Sequence, residues 1–163
     1  MQRIVLYTVV SLVLIIIDAT LVKFLAIADI VPDILLLWVV YIAIREGQIA
    51  STTAGFVIGL IVTLAGGATN MLGLAALAKT VAGFTAGYFY NENKTFQTLG
   101  GYQFLIAIAL ASLVHNIIYF VILLQGSGTS WSGALMLYGV PTTLYTVAVG
   151  LMPMFAFARK YIS

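Results

Sequence analysis

The 163-residue sequence contains no cysteine, only three prolines and few charged residues. The lack of cysteine excludes a disulfide framework, a thiol nucleophile and a thiolate metal site. Charged residues make up 7% of the chain, whereas soluble domains carry about 25%. With 63% hydrophobic residues, a chain this small lacks the polar groups to cover a soluble surface. The net charge of +2 is also too small for nucleic-acid binding.

What the sequence does contain is a series of long apolar runs. Because the strands of membrane barrels alternate apolar and polar residues, such runs indicate helices rather than a barrel. We therefore predict an all-α integral membrane protein, with residues 1–163 forming a single transmembrane domain. Six transmembrane helices are predicted, over about residues 4–22, 30–45, 48–65, 71–90, 102–124 and 138–157.

The second span has clear signals at both ends. Pro32 and Asp33 favour a helix start, since proline suits the first turn and a carboxylate there favours the positive end of the helix dipole. Arg45 begins a tight turn at the other end. The apolar part, residues 34–44, is short, and it reaches membrane length only if the helix includes residues 29–45. A re-entrant segment is the alternative.

The distribution of charge predicts the orientation of the chain. Six spans place both termini on one side of the membrane. The loops on that side hold five basic residues, against Lys23 alone on the other side. By the positive-inside rule, both termini are cytoplasmic. The five basic residues are Arg3, Arg45, Lys94, Arg159 and Lys160.

Spans three and four share a small-residue pattern. Gly55 and Gly59 form one G-x-x-x-G motif, and Gly83 and Gly87 form another. This motif lets the backbones of two helices approach closely in lipid. The pattern predicts either packing within the fold or an interface with a partner helix.

Several polar residues fall inside the predicted spans. A rise of ~1.5 Å per residue places Lys79 roughly 12 Å, His115 roughly 14 Å and Asp18 roughly 6 Å below the outer surface. Asn116 adjoins His115, so the four groups form one candidate polar cluster. A structural interpretation pairs Asp18 with Lys79 and gives the His–Asn pair hydrogen bonds that fix helix register. A functional interpretation makes the cluster a substrate or ion site.

We favour the structural interpretation of this cluster. The sequence offers no second acidic residue at that depth and no matched pair of broken helices of the kind that transporters use. The single histidine has no neighbouring carboxylate for a triad or a metalloprotease motif. We therefore predict no enzyme, catalytic residue, metal or cofactor. A small ion- or proton-coupled transporter that uses Lys79 and Asp18 is a more distant hypothesis.

Several stretches resemble the MreD family, the small rod shape-determining membrane proteins of bacteria. Each motif is weak alone, but their order and spacing extend from Pro32 to Lys160. The stretches are Pro32-Asp33-Ile34-Leu35-Leu36-Leu37 with Tyr41 and Arg45-Glu46-Gly47; Gly55-Phe56-x-x-Gly59-Leu60, Gly66-Gly67 and Leu72-Gly73-Leu74-x-Ala76-Leu77; Lys79-Thr80-x-x-Gly83-Phe84-x-x-Gly87; and Pro141-Thr142-x-Leu144-Tyr145 with Pro153 and Arg159-Lys160. Many members carry an acidic residue where this chain has Thr63, so a partner contact made by that acid must differ here.

The resemblance implies a fold similar to the substrate-binding S components of energy-coupling factor transporters, and a non-catalytic role in the bacterial cytoplasmic membrane. MreD-like proteins work with the single-span protein MreC. They connect MreB filaments to the RodA glycosyltransferase and its penicillin-binding transpeptidase, and so link the cytoskeleton to peptidoglycan synthesis in cell-shape control. We therefore expect a scaffold that binds an MreC-like helix through a small-residue face, with membrane lipid around it and a homodimer left open.

The alternative is a vitamin-binding S component of an energy-coupling factor transporter. Such proteins resemble one another in an Ala-x-x-x-Ala-type face on the first span, where their membrane coupling partner docks. The first span here holds only Ala19, which argues against this alternative. Trp131 and the polar residues 127–132 leave it open.

Overall fold

The computed structural model describes residues 2–27, 30–66 and 73–162. Within these ranges the chain is all-helical, and the single β pairing is an isolated bridge between Ile27 and Ile30. Most of the connection between the predicted third and fourth spans (residues 67–70) and the expected start of the fourth span at Met71 lie outside the described residues. The α-helices are α1 (Gln2–Thr20), α2 (Ile34–Glu46), α3 (Gln48–Ala65), α4 (Leu74–Ala86), α5 (Thr95–Leu99), α6 (Tyr102–Leu123), α7 (Trp131–Ala134) and α8 (Val140–Ile162).

Four segments are long and apolar enough to cross a membrane. They are Arg3–Thr20, Gln48–Ala65, Tyr102–Leu123 and Trp131–Arg159. Large apolar side chains on these helices are exposed, among them Ile4 at 71% and Met152 at 75%. An exposed apolar surface of this extent fits lipid rather than water.

Helix α2 lies at the centre of the fold. Eight of its thirteen residues are buried, and its apolar residues surround the helix axis, which is typical of a helix enclosed by others. On one side it packs with α4, α6 and α8 in the main core, whose largest buried side chain is Phe104. On another side Leu35 and Val39 pack with Ile15 of α1 and Ile58 of α3.

The ends of α2 differ from the predicted ones in one respect. Helical structure begins at Ile34 rather than near residue 30, because the Asp33 side chain caps the helix and accepts a hydrogen bond from the Leu36 N–H at 2.7 Å. Pro32, fully buried, precedes the cap instead of forming the first turn. At the other end Gly47 adopts φ 93°, a conformation that favours glycine, and this residue alone separates α2 from α3.

The G-x-x-x-G motifs bring α3 and α4 together within the chain. A Cβ atom at Gly59 would lie 2.6 Å from the Ala75 carbonyl oxygen, and one at Gly83 would lie 2.6 Å from the Ser51 carbonyl oxygen. Gly55 lies directly against the Lys79 backbone, and Gly87 against Gln48. This face is therefore filled by the neighbouring helix. Of the two predicted uses of this face, the structure shows packing within the fold.

Helical structure in the last third of the chain is more continuous than the sequence predicts. A π-helical segment, Leu135–Gly139, connects α7 directly to α8, so helical structure begins before the predicted sixth span at about residue 138. Pro153 lies inside α8. Since proline has no N–H, the Val149 carbonyl loses the donor that residue 153 would ordinarily supply.

Candidate functional site

A cleft of about 410 Å³ collects most of the polar residues predicted to lie inside the spans. Asp18, Lys79, His115 and Asn116 all line it, and so does Asp33. The walls come from α1, α2, α3, α4, α6 and α8, and much of the remaining lining is apolar. We call this cavity the polar cleft. Its lining residues are Asp18, Val22, Val31, Pro32, Asp33, Leu35, Val62, Ala75, Lys79, His115, Asn116, Tyr119, Phe120 and Thr142.

Asp33 is the centre of the ionic contacts in the polar cleft. Its Oδ1 accepts from the Leu36 N–H, and its Oδ2 pairs with the Lys79 ammonium group. His115 Nε2 lies 3.7 Å from the same Oδ2. The Asp33 N–H donates to Thr146 Oγ1 at 3.0 Å. Asp33 thus connects the start of α2 to α4 and α6 through its carboxylate, and to α8 through its backbone N–H.

This arrangement corrects two sequence-based expectations. Lys79 pairs with Asp33 and not with Asp18, and a second acidic residue does lie at the depth of Lys79. The reason is the short α2: because it begins only at Ile34, the residues before it enter the fold, and Asp33 reaches the level of α4. Counting residues along single spans does not reveal such an entry.

Asp18 lies near the end of α1, half-buried beside this ionic group. Within the described part of the chain, no basic side chain comes within 4.0 Å of its carboxylate. The polar cleft therefore holds the Asp33 carboxylate, which pairs with Lys79, and the Asp18 carboxylate, which makes no ion pair with the basic side chains that the structure describes. His115 Nδ1 is buried and has no hydrogen-bond partner among the described residues.

Asn116 belongs to a separate polar network between α6 and α8. Its Nδ2 donates to the Gly139 carbonyl at 3.0 Å and to Thr143 Oγ1 at 3.1 Å. The Thr143 hydroxyl also accepts from Ser112 Oγ at 3.1 Å and donates to the Gly139 carbonyl at 2.9 Å. This network ties the π-helical segment to α6. Asn116 makes no hydrogen bond with His115, contrary to the expected His–Asn pair.

Sequence reasoning missed the threonines of α8 that complete both networks. Thr143 and Thr146 each donate to the carbonyl four residues earlier, at Gly139 and Thr142. Such back-bonding is common for threonine in apolar helices. The sequence therefore offers no signal that separates these two from the other threonines.

A second polar region lies at the opposite end of the helices, and we call it the basic pocket. It has a volume of about 660 Å³, and Arg3, Arg45, Glu46, Glu92 and Lys94 supply its charges. Arg45 donates to the Tyr41 hydroxyl and lies 3.8 Å from Glu46. Arg3, Arg45 and Lys94, which were predicted to lie on the same side of the membrane, thus line one shared cavity.

The polar cleft offers hydrogen bonding and charge but no metal centre. Among the described residues, no three His, Asp or Glu side chains lie close enough together to hold a metal ion. Comparison of the chain with protein-family models, curated proteins and solved structures gave no match.

Proposed function

We propose that this chain is a non-catalytic membrane scaffold of the bacterial cell-elongation machinery, an MreD-like protein that binds a single-span MreC-like partner. One observation carries the proposal: motifs that resemble MreD and lie far apart in the sequence meet at Asp33. The Pro-Asp motif supplies Asp33, and the Lys-Thr-x-x-Gly motif supplies Lys79. The Pro141–Tyr145 motif leads directly to Thr146, whose hydroxyl accepts from the Asp33 N–H.

We propose six membrane spans, two of which, α2 and α4, are shorter than the hydrocarbon core. Helices α2 and α4 each have thirteen residues, which at 1.5 Å per residue gives roughly 20 Å against a hydrocarbon core of ~30 Å. Helix α2 is buried by its neighbours, so its length need not match the lipid around the protein. Gly47 alone joins α2 to α3, and a 3₁₀ turn, Gly87–Phe89, extends α4.

We propose that the basic pocket faces the cytoplasm and that both termini lie there. The pocket brings together Arg3 at the start of α1, Arg45 at the end of α2 and Lys94 after α4. Such a concentration of basic residues at one end is what the positive-inside rule expects for the cytoplasmic side. The polar cleft then lies in the outer half of the bilayer.

The partner helix needs a surface other than the small-residue face, and α1 offers the best one. Among residues 3–20 of α1, whose burial the structure describes, only Ile15 is buried, so this helix is held along a narrow edge. Between α1, α2 and α8 runs an apolar groove of about 420 Å³, lined by residues that include Leu14, Met152 and Pro153. We call it the α1–α8 groove. A helix seated there buries the exposed faces of α1 and α8 together.

The groove has features that suit a transmembrane helix. Trp38 stacks on Tyr41, and Tyr41 stacks on Phe157, with ring centroids 5.1 and 5.6 Å apart. Val149, whose carbonyl lacks its donor from Pro153, lines the same groove. Polar groups that find a donor across a helix–helix contact favour association in lipid.

The proposal is tested by purifying the protein in mild detergent from native membranes and identifying co-purifying proteins by mass spectrometry. We expect a single-span protein with an extracytoplasmic coiled coil, at near-stoichiometric amounts. A paired ATPase with a membrane coupling subunit, or a bound vitamin, would contradict the scaffold and identify an S component instead.

The S-component alternative has one observation in its favour, the polar cleft. Its volume of about 410 Å³ and its mixed lining suit a small ligand. However, Lys79 is already neutralised by Asp33, so its charge is not available to an anionic ligand. The scaffold proposal leaves this pair intact as a packing element.

A further inference from the structure

The basic pocket has more positive charge than its carboxylates neutralise. Three cations, on Arg3, Arg45 and Lys94, face the carboxylates of Glu46 and Glu92. The pocket therefore has one net positive charge, which equals in magnitude the charge of a phosphodiester group.

The two carboxylates are not equally close to the three cations. Glu46 accepts from the Tyr7 hydroxyl at 2.6 Å and lies 3.8 Å from Arg45. Across residues 2–27, 30–66 and 73–162, neither Arg3 nor Lys94 has a carboxylate within 4.0 Å. Arg3 and Lys94 are thus free to bind an anion in this pocket.

An apolar groove runs along α1 and α3 and begins beside residues that line the basic pocket. We call it the α1–α3 groove. Ile4, which follows Arg3, and Tyr7, which bonds Glu46, line its beginning, and Ile15 and Ile61 line its far part. From Ile4 to Ile15 the helix rises by roughly 16 Å. This is about half of the ~30 Å hydrocarbon thickness, or one leaflet.

The polar side chains along the α1–α3 groove are already satisfied. Thr8 donates to the Ile4 carbonyl at 2.9 Å and Thr53 to the Ile49 carbonyl at 2.8 Å. Ser11 accepts from Trp38 at 2.8 Å. A hydrocarbon chain in the groove therefore leaves none of these groups without a hydrogen-bond partner. The groove has a volume of about 420 Å³ and suits an apolar ligand.

We propose that the basic pocket and the α1–α3 groove together bind one anionic phospholipid. The phosphodiester lies among Arg3, Arg45 and Lys94, and one acyl chain follows the groove. Phosphatidylglycerol fits better than phosphatidylethanolamine, because its net negative charge offsets the net positive charge of the pocket. In addition, its glycerol hydroxyl groups can form hydrogen bonds with the Asn93 and Gln97 amides. This binding does not depend on the MreC-like partner.

The headgroup half of the proposal is tested by native mass spectrometry of the purified protein in detergent, with equal amounts of phosphatidylglycerol and phosphatidylethanolamine added. We expect phosphatidylglycerol to be retained preferentially. Lys94→Gln should lower its retention about five-fold, the effect expected for one basic side chain near a membrane surface. Arg159→Gln makes the same change in net charge outside the pocket and should retain the wild-type level.

The acyl-chain half needs a different pair of variants. Val57, 46% exposed, lines the α1–α3 groove, whereas Phe56, 50% exposed, does not. Val57→Trp should fill the groove and remove most of the retained lipid, and Phe56→Trp should not. Equal retention of the two lipids, or equal loss in a variant and its control, would overturn the proposal.

Discussion

The Lys79 ammonium group of α4 pairs with the Asp33 carboxylate at the N-cap of α2, 46 residues earlier in the chain. Both side chains are largely buried, at 6% and 18% exposure. Removing one partner of a buried pair leaves an uncompensated charge, which costs more than the pair itself contributes. A single substitution in this pair should therefore lower the stability of the whole helix bundle.

The first prediction concerns the two members of this pair. Lys79→Met should lower stability by about 3–5 kcal/mol, and Asp33→Asn should also destabilise the protein because Lys79 then loses its counter-ion. The double variant should recover part of the loss, since neither charge remains. The measurement is thermal unfolding in detergent, with Arg159→Met as the control at an exposed cation outside the basic pocket. If Lys79→Met unfolds at the same temperature as Arg159→Met, the pair does not stabilise the fold.

The second prediction concerns the glycines between α3 and α4. Gly59→Ala places a Cβ 2.6 Å from the Ala75 carbonyl oxygen, so the helices must separate, at a cost of about 1–3 kcal/mol. Gly83→Leu should prevent folding altogether rather than remove a partner selectively. Gly133→Ala is the control, because its nearest neighbour lies 3.8 Å away. Folded Gly83→Leu protein that has lost only its partner would show that these glycines serve the partner interface after all.

The third prediction distinguishes two polar networks from a single cluster. Asn116→Ala removes hydrogen bonds to Gly139 and Thr143 and should cost about 1–2 kcal/mol. Asn116 makes no hydrogen bond to the Asp33–Lys79 pair, although it lines the same cleft. Its effect should therefore add to that of Lys79→Met within about 1 kcal/mol. Unfolding of the two single variants and the double variant tests this. A coupling above 1 kcal/mol would join the networks into one.

The fold and the candidate site differ in how much of each could be predicted from the sequence. Apolar runs near membrane length predicted an all-helical chain, and the described residues are all-helical. The glycine spacing predicted a close contact between helices. The same spacing serves contacts within one chain and contacts between two chains, so it does not distinguish them. The contact of Gly83 with Ser51 shows a contact within the chain.

Asp33 illustrates what the sequence did not reveal. A carboxylate beside Pro32 indicates a helix cap, and Asp33 does cap α2. Because capping alone accounts for an aspartate at this position, the sequence gives no reason to expect an ion pair as well. A cap uses one carboxylate oxygen and leaves the other for Lys79. The depth of that oxygen depends on how far the segment before α2 enters the fold, which is a tertiary property.

The last prediction concerns the surface that binds the proposed MreC-like partner. A photo-crosslinking amino acid at Met152, which is 75% exposed and lines the α1–α8 groove, should capture the single-span protein in native membranes. The matched position is Leu110 of α6, which is also exposed but lies outside the grooves that flank α1. Capture at Met152 alone places the partner helix between α1 and α8, because a crosslinker reaches only adjacent side chains. Capture at Leu110 alone moves the interface to α6, and the exposed face of α1 is then left to lipid.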